Sequence, residues 1–411
     1  MSASTQASIN DKVPATLTVL FFLLLSGPPR LRIRDATASL DAVIDPVVVL
    51  HVIVWLSAGY WLFTQLWPHR RVLWRKLSLP ERLGLLTAVA LGLSTATSVS
   101  PALTIFRVYQ LAVTVLFASV FVRKYGVRSA LTHIFWSCVV LCAADAIAAF
   151  VAPDMVFGAS EFGIMRFRGD LIAQTGVVSV LAIVLLFVHR FSFTAAACIV
   201  GLCFAVLLFS LMRTGYAALV VAFIVFLLKV PTSQTRNAFL FSGAIVLLFS
   251  WDFLVSRLNE YRDIDTLWTL SDRAGLWAYL ANMTISQSPW IGLGYYSASR
   301  VYGPEYNPGL GTAHSGFMEV FAGGGVIALA VYVALWIVMA VLAAQIFLRR
   351  RDRISVTVLA LFAAVALFNS IGSALEADPV GFTFWILVVV MPMIMRMPLD
   401  AKSRLARAGA M

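Results

Sequence analysis

Charged residues are scarce in this sequence. Only 12% of its 411 residues are Asp, Glu, Lys or Arg, whereas a soluble domain averages about 25%. Hydrophobic residues make up 61% of the chain and the mean hydropathy is +0.89. They lie in long blocks, close to the roughly 20 residues that a helix needs to cross a bilayer. This composition excludes a soluble globular domain and predicts an all-α polytopic membrane protein.

About twelve blocks qualify as predicted transmembrane helices. Their approximate ranges are 13–26, 47–66, 83–98, 104–122, 130–151, 171–188, 193–212, 214–229, 238–255, 325–347, 354–372 and 380–396.

Cysteine and lysine are also rare. Cys138 and Cys142 share one predicted span, and Cys198 and Cys203 share another, so they are expected to pack as small apolar residues and not to form disulfides. With both termini inside, every lysine falls on the cytoplasmic side, and so do most arginine clusters. The net charge of +11 then reflects the positive-inside bias of membrane proteins and not nucleic-acid binding.

This orientation divides the chain into three parts. Residues 1–255 carry predicted transmembrane helices 1–9. Residues 256–313 form a long outer loop, and residues 314–411 carry predicted helices 10–12 and a basic cytoplasmic tail. A connection as long as 256–313 is unusual between helices and is typical of a functional segment.

The outer loop has a recognisable pattern. Leu276, Leu280 and Met283 are spaced at i, i+4 and i+7, which predicts an amphipathic helix of about four turns that ends before Pro289. Such a helix would lie along the membrane surface or over a cavity. The aromatic and glycine-rich segment that follows, 290–296, suits either sugar stacking or an interfacial aromatic belt.

The outer side carries arginines but no lysine. A planar guanidinium makes bidentate contacts with phosphate and stays charged in any environment. Four of these arginines are predicted to form an anion clamp, the alternative being interfacial snorkelling. They are Arg166, Arg168, Arg213 and Arg273. Two further ionisable residues, Arg107 and Asp145, lie inside predicted spans at similar depth, and a structural ion pair between them is favoured over a role in substrate binding.

His314 follows the long loop directly. Thr312 is a plausible N-cap, which would place His314 in the first turn of a helix. The positive end of the helix dipole would keep its imidazole neutral and able to accept a proton. The catalytic interpretation is favoured over the alternative of a hydrogen-bonded packing residue.

A metal site is not predicted. Asp263 and Asp265 form a DxD pattern in the outer loop, but such short acidic patterns arise easily by chance and no histidine stands beside this one. In a reaction that releases a diphosphate, arginine side chains would then have to neutralise its charge in place of a metal ion. No other cofactor is expected.

The ordered set of features resembles the O-antigen ligase and polymerase superfamily of membrane glycosyltransferases. It comprises the predicted spans, the late outer loop, Arg213 in Leu-Met-Arg-Thr-Gly, Ser271-Asp-Arg-Ala-Gly-Leu-Trp277, and His314-Ser315 about ten residues before Gly325. The chain departs mildly from the ligase pattern at Ala328, where glycine or a similar small residue is usual.

The resemblance implies glycan transfer at the periplasmic face of the bacterial inner membrane. The donor would be a glycan on undecaprenyl pyrophosphate, and the ligase acceptor a sugar hydroxyl of the lipid A core. His314 would match the family's proposed general base, and Arg213 and Arg273 the arginines thought to hold the diphosphate. Ligase activity is favoured.

Two alternatives stay open at this stage. A polymerase of the same superfamily would extend the glycan on its lipid carrier, and the motifs barely separate the two activities. A lipid-linked glycan transporter is disfavoured, because a transport path needs charges along the membrane midplane, whereas here they crowd the outer boundary.

Overall fold

The chain's computed structural model describes most of the predicted helical core. The described residues are 13–26, 46–69, 76–153, 157–159, 165–167, 193–210, 213–229, 273–307, 311–371 and 379–397.

Eleven α-helices and one short ribbon are formed by the described residues. The helices are α1 (Ala15–Ser26), α2 (Pro46–Leu66), α3 (Leu79–Leu93), α4 (Pro101–Val151), α5 (Phe193–Ser210), α6 (Arg213–Lys229), α7 (Arg273–Gln287), α8 (Ser297–Tyr306), α9 (Gly316–Arg349), α10 (Arg353–Ile371) and α11 (Pro379–Arg396). Short 3-10 turns, Trp67–His69 and Ser94–Thr97, follow α2 and α3.

Helix α4 reverses direction at Gly126, where φ is 85°. The rings of Phe121 and His133 lie 5.3 Å apart, although twelve residues of straight helix would separate them by about 18 Å. The two halves, 101–125 and 127–151, therefore form a helical hairpin. Each half is about as long as the hydrocarbon core is thick.

Helix α9 folds back in the same way at Gly325, where φ is 65°. The rings of Phe317 and Tyr332 are 5.4 Å apart, whereas a straight helix would separate them by about 22 Å. The short arm, 316–324, therefore packs against the N-terminal end of the long arm, 326–349.

The helical nature of the chain is confirmed. Five described helices are long and apolar enough to cross a membrane: Val49–Leu66, Pro101–Val151, Gly316–Arg349, Arg353–Ile371 and Pro379–Arg396. The predicted spans 171–188 and 238–255 lie outside the described residues. The total of twelve and the orientation stay predictions.

One element departs from the all-α expectation. β1 (Phe157–Ala159) and β2 (Met165–Phe167) pair antiparallel, with Phe157 opposite Phe167 and Gly158 opposite Arg166. They belong to the connection that follows α4. Their pairing satisfies backbone groups that have no helical partner there.

Helix α11 is the centre of the bundle. Residues 379–392 are buried without a break, and the helix packs against α1, α3, α4, α9 and α10. Helix α6 packs along α10, and α3 along α9. A helix that is apolar all round is expected to be enclosed in this way by its neighbours.

A buried ion pair joins α3 to the first arm of α4. Glu81, fully buried, accepts hydrogen bonds from the N–H and hydroxyl of Ser78 at 2.7 and 2.6 Å. Arg123 donates to both oxygens of this carboxylate, one contact being 2.6 Å. Its guanidinium also donates to the Lys76 carbonyl at 3.0 Å.

Replacing Glu81 with alanine is expected to lower the free energy of unfolding by about 3 kcal/mol, because Arg123 would lose its buried partner. The change should appear as a lower apparent melting temperature of the purified protein in detergent. Lys124→Ala is the control, since the exposed Lys124 donates to Gln65 Oε1 at 3.0 Å and lies over the Tyr125 ring but has no buried carboxylate as its partner. Equal melting temperatures for the two variants would contradict the assignment.

Candidate active site

His314 lies immediately before the N-cap of α9. Ser315 is the cap, with an extended backbone and a hydroxyl that accepts from the Met318 N–H at 3.5 Å. The prediction of Thr312 as cap is therefore wrong, and His314 precedes the first helical turn instead of lying in it. Serine caps as well as threonine, and the backbone of His314 has φ 50°, which is not helical. Such a conformation in a residue other than glycine costs about 1–3 kcal/mol and is concentrated at functional sites.

Two side chains from different helices hold the backbone next to His314. The N–H of Ala313 donates to Oε2 of Glu319 at 3.2 Å. Its carbonyl accepts from Nε1 of Trp277, on α7, at 2.7 Å. Ala313 is fully buried, so the chain is fixed at the residue before the histidine while His314 itself is half-buried.

The end of α10 meets the beginnings of α7 and α9. Arg273, in the first turn of α7, donates from Nη1 to the carbonyl of Ile371, the last residue of α10. A cation at a helix C-terminus interacts favourably with the helix dipole. Two residues earlier, Asn369 lies against Gly316, where an added Cβ would fall 1.9 Å from the Asn369 Oδ1. Arg273 and the His314 segment therefore reach the same helix end.

Arg213 is the first residue of α6, and the packing of that helix places it near this end. Lys229, the last residue of α6, lies 3.7 Å from the ring centroid of Phe347 and interacts electrostatically with Arg351, just before α10. Helices α6 and α10 are therefore antiparallel. Both rise about 24 Å over 16 residues, so the backbone of Arg213 lies near the level of Asn369.

The other two predicted clamp residues lie in the segment after α4. Arg166 belongs to β2, and Arg168 lies outside the described residues. Their part in an anion site stays a prediction.

The segment 289–294 closes the break in α9. Helix breaks leave backbone donors and acceptors without their usual partners, which is costly inside a membrane protein. Four hydrogen bonds with this segment supply replacements. They are Val326 N–H to Pro289 O at 2.9 Å, Ile327 N–H to Trp290 O at 3.2 Å, Leu293 N–H to Ala322 O at 2.9 Å, and Gly294 N–H to Gly323 O at 3.0 Å.

This close approach requires glycine. A Cβ at Gly325 would lie 2.4 Å from the carbonyl carbon of Trp290, and a Cβ at Gly292 would lie 2.5 Å from the carbonyl carbon of Gly323. Ala328, the departure from the ligase pattern, is buried and lies four residues after Gly324, beyond the break at Gly325. A Cβ at Gly324 would stand 2.4 Å from the Ala328 methyl group, so the small residue at 324 makes room for the larger one at 328.

Two of the loop tyrosines are core residues. Tyr295 and Tyr296 are each 1% exposed, so they serve neither as an open sugar-stacking surface nor as an interfacial belt. Trp290, in contrast, is 66% exposed, and both interpretations stay open for it.

The expected ion pair between Arg107 and Asp145 is wrong. Arg107 instead lies over the ring of Tyr296, 5.0 Å from its centroid, and donates to Oε1 of Gln110 at 3.3 Å. No ion pair joins Arg107 to Asp145, both of which belong to the described helix α4. The aromatic face offers Arg107 a favourable electrostatic contact through cation–π attraction.

No group of three His, Cys, Asp or Glu residues among the described residues could hold a metal ion. Asp263 and Asp265 lie outside that part of the chain. Metal independence stays a prediction.

Comparison with protein families supplies the decisive observation. The family model described as O-antigen ligase matches residues 196–333, about a third of the chain. The chain thus contains a region that is similar to the O-antigen ligase and polymerase superfamily. Comparison with curated proteins finds no significant match.

The matched region of the O-antigen ligase family contains three of the predicted site residues. It spans α5 to the long arm of α9 and includes Arg213, Arg273 and His314, whereas Arg166 and Arg168 precede it. Similarity to this family of membrane glycosyltransferases supports an enzyme in general.

Sequence reasoning missed three residues that shape the site. They are Trp277, which was named only as the end of a motif, and Glu319 and Asn369, which were not considered. A signal existed for Glu319, a single acid in an otherwise apolar turn after His314, because buried carboxylates are rare unless they are paired.

Proposed function

We propose that this protein is an O-antigen ligase. It transfers a glycan from undecaprenyl pyrophosphate to a sugar hydroxyl of the lipid A core, at the periplasmic face of the inner membrane, without a metal ion. The observation that supports this proposal is that Arg273, at the start of α7, and the segment after His314 both contact the C-terminal end of α10. This arrangement supports a cation for the leaving group and a base for the acceptor near the same helix end.

The reaction is a single displacement. His314 takes the proton of the acceptor hydroxyl, whose oxygen forms a bond to the anomeric carbon. The bond from that carbon to the diphosphate oxygen breaks on the opposite face, which inverts the configuration, and its electron pair leaves with the diphosphate. Arg213 and Arg273, with Arg166 or Arg168, neutralise this developing charge. Fixed cations stabilise the transition state without reorganisation at the moment of reaction.

Genetic complementation separates ligase from polymerase. A ligase-null strain should regain lipopolysaccharide that carries O-antigen when it expresses this protein, and a polymerase-null strain should not regain long glycan chains. The reverse pattern would establish the polymerase alternative.

Arg273→Lys is expected to lower kcat/KM for the lipid-linked donor about tenfold or more. The arginine fork can donate to the Ile371 carbonyl and to a phosphate oxygen together, whereas the single ammonium of lysine lacks this planar geometry. Steady-state transfer by purified enzyme measures the effect. Arg128→Lys is the matched control, because Arg128 is exposed beside the Gly126 reversal, about 37 Å along α4 from its start. Equal kcat/KM for both variants would contradict the role of Arg273.

A further inference from the structure

Glu319 is a buried carboxylate with no part in the reaction described above. Its side chain is 0% exposed, and it stands in the short arm of α9, five residues after His314. A carboxylate taken out of water is costly unless hydrogen bonds replace its hydration. The contacts that Glu319 makes therefore indicate what the chain gains from burying it.

The carboxylate joins two segments that precede α9 in the chain. Oε1 accepts from the hydroxyl of Ser299, on α8, at 2.8 Å. Oε2 accepts from the N–H of Ala313 at 3.2 Å. Both Ser299 and Ala313 are fully buried, so the three groups form one enclosed junction between the outer loop, the residue before His314, and the helix that follows it.

The carbonyl oxygen of Ala313 also has a partner: it accepts a hydrogen bond from Nε1 of Trp277 at 2.7 Å. The next residue, His314, has φ 50°, a conformation that persists only where the surroundings impose it. Glu319 and Trp277 therefore both form hydrogen bonds with the backbone of the residue directly before this strained one.

We propose that Glu319 is a positioning residue: its carboxylate fixes the backbone at Ala313 and thereby sets the place of the His314 imidazole. The inference rests on the proposed function, in which His314 is the general base. A displacement of about 1 Å in a catalytic group can cost about 10²-fold in rate, so a loosened junction should slow the chemistry more than it weakens donor binding.

Glu319→Gln is the sharpest test. Both partners donate to Glu319, whose carboxylate accepts from each of them with a separate oxygen. The amide of glutamine has one acceptor oxygen, so it can serve the Ala313 N–H only if the Ser299 hydroxyl turns to accept from the amide NH₂ group. The variant keeps the size of the side chain but replaces two charge-assisted hydrogen bonds with weaker neutral ones. We expect kcat for glycan transfer to fall about 10–100-fold, with KM for the lipid-linked donor changed by less than about threefold, because the arginines are intact.

Glu305→Gln is the matched control. Glu305 lies on α8, is exposed, and accepts from the Tyr279 hydroxyl at 3.1 Å. Its replacement should leave kcat, KM and melting temperature unchanged. A fall in kcat for Glu305→Gln equal to that for Glu319→Gln would overturn the proposal. The loss of activity would then not depend on the contacts that Glu319 makes with Ser299 and Ala313.

Trp277→Phe tests the same junction from the other side. It removes the donor to the Ala313 carbonyl while keeping an aromatic ring, and should also lower kcat with little change in KM. Since both side chains hold Ala313, the double variant Glu319→Gln, Trp277→Phe should lose less activity than the product of the two single losses. Wild-type kcat in Trp277→Phe would overturn the proposal even if Glu319→Gln failed to fold.

His314→Ala separates failure of this proposal from failure of the proposed function. If that variant is inactive while Glu319→Gln has wild-type kcat, His314 is needed but Glu319 does not position it. If His314→Ala transfers glycan normally, the base assignment itself fails, and with it the role of Glu319.

Discussion

Glycan transfer is expected to fall by about 10²–10⁴-fold when His314 is replaced by alanine, because a positioned general base contributes about that much to the rate. The acceptor hydroxyl would then have to lose its proton to water. The measurement is transfer by purified enzyme, supported by lipopolysaccharide ladders from cells that express the variant. The protein should still fold and insert, since His314 is half-buried and lies outside the helix it precedes.

Two further variants sharpen this result. His314→Gln retains a polar side chain of similar reach but no group that accepts a proton near neutral pH, so it should be as inactive as His314→Ala. His69→Ala, on the predicted cytoplasmic side, should leave transfer unchanged. Wild-type ladders from His314→Ala would remove the histidine from the mechanism.

Gly325→Ala is expected to destabilise the protein by about 3–5 kcal/mol, the sum of backbone strain and overpacking. At φ 65° and ψ −164° the residue occupies a region open almost only to glycine. The added methyl group would stand 2.4 Å from the Trp290 carbonyl carbon. The four hydrogen bonds that close the break in α9 would be disrupted, and His314 at the start of the short arm would lose its support.

The melting temperature in detergent and the protease sensitivity of the 289–294 segment would both report this change. Gly201→Ala is the control, because a Cβ there meets nothing within 4 Å and alanine favours the helix in which Gly201 lies. A Gly325→Ala protein that melts at the wild-type temperature would contradict the described closure of the break.

The helices of this fold were predictable from the sequence, and so was the reversal in α4, which separates the predicted spans 104–122 and 130–151. The reversal in α9 was not. Long apolar blocks predict spans because a bilayer permits few alternatives, and the helix at Arg273–Gln287 ended before Pro289 as expected. The folding back of α9 was not predicted, because Gly323 to Gly325 are compatible with a straight helix unless another backbone approaches. That approach comes from residues 289–294, a non-local contact that periodicity does not encode.

The site was predictable in its chemistry and less so in its geometry. His314 and Arg273 were singled out because a histidine directly after a long loop suits a general base and an arginine at a helix start suits anion binding. The N-cap was wrong by three residues because Thr312 and Ser315 are equally suitable caps, and the φ of His314 decides between them. Tyr295 and Tyr296 were misassigned because their burial depends on packing against Gly323 and Arg107, which lie far away in sequence.

Reconstitution tests the central claim most directly. Purified protein in liposomes would be given a glycan on undecaprenyl pyrophosphate together with lipid A core, in a chelator-containing buffer. The proposed ligase predicts glycan joined to the core and released undecaprenyl pyrophosphate, with no product from His314→Ala. Glycan that lengthens only on its lipid carrier, or transfer that stops when divalent ions are chelated, would contradict it.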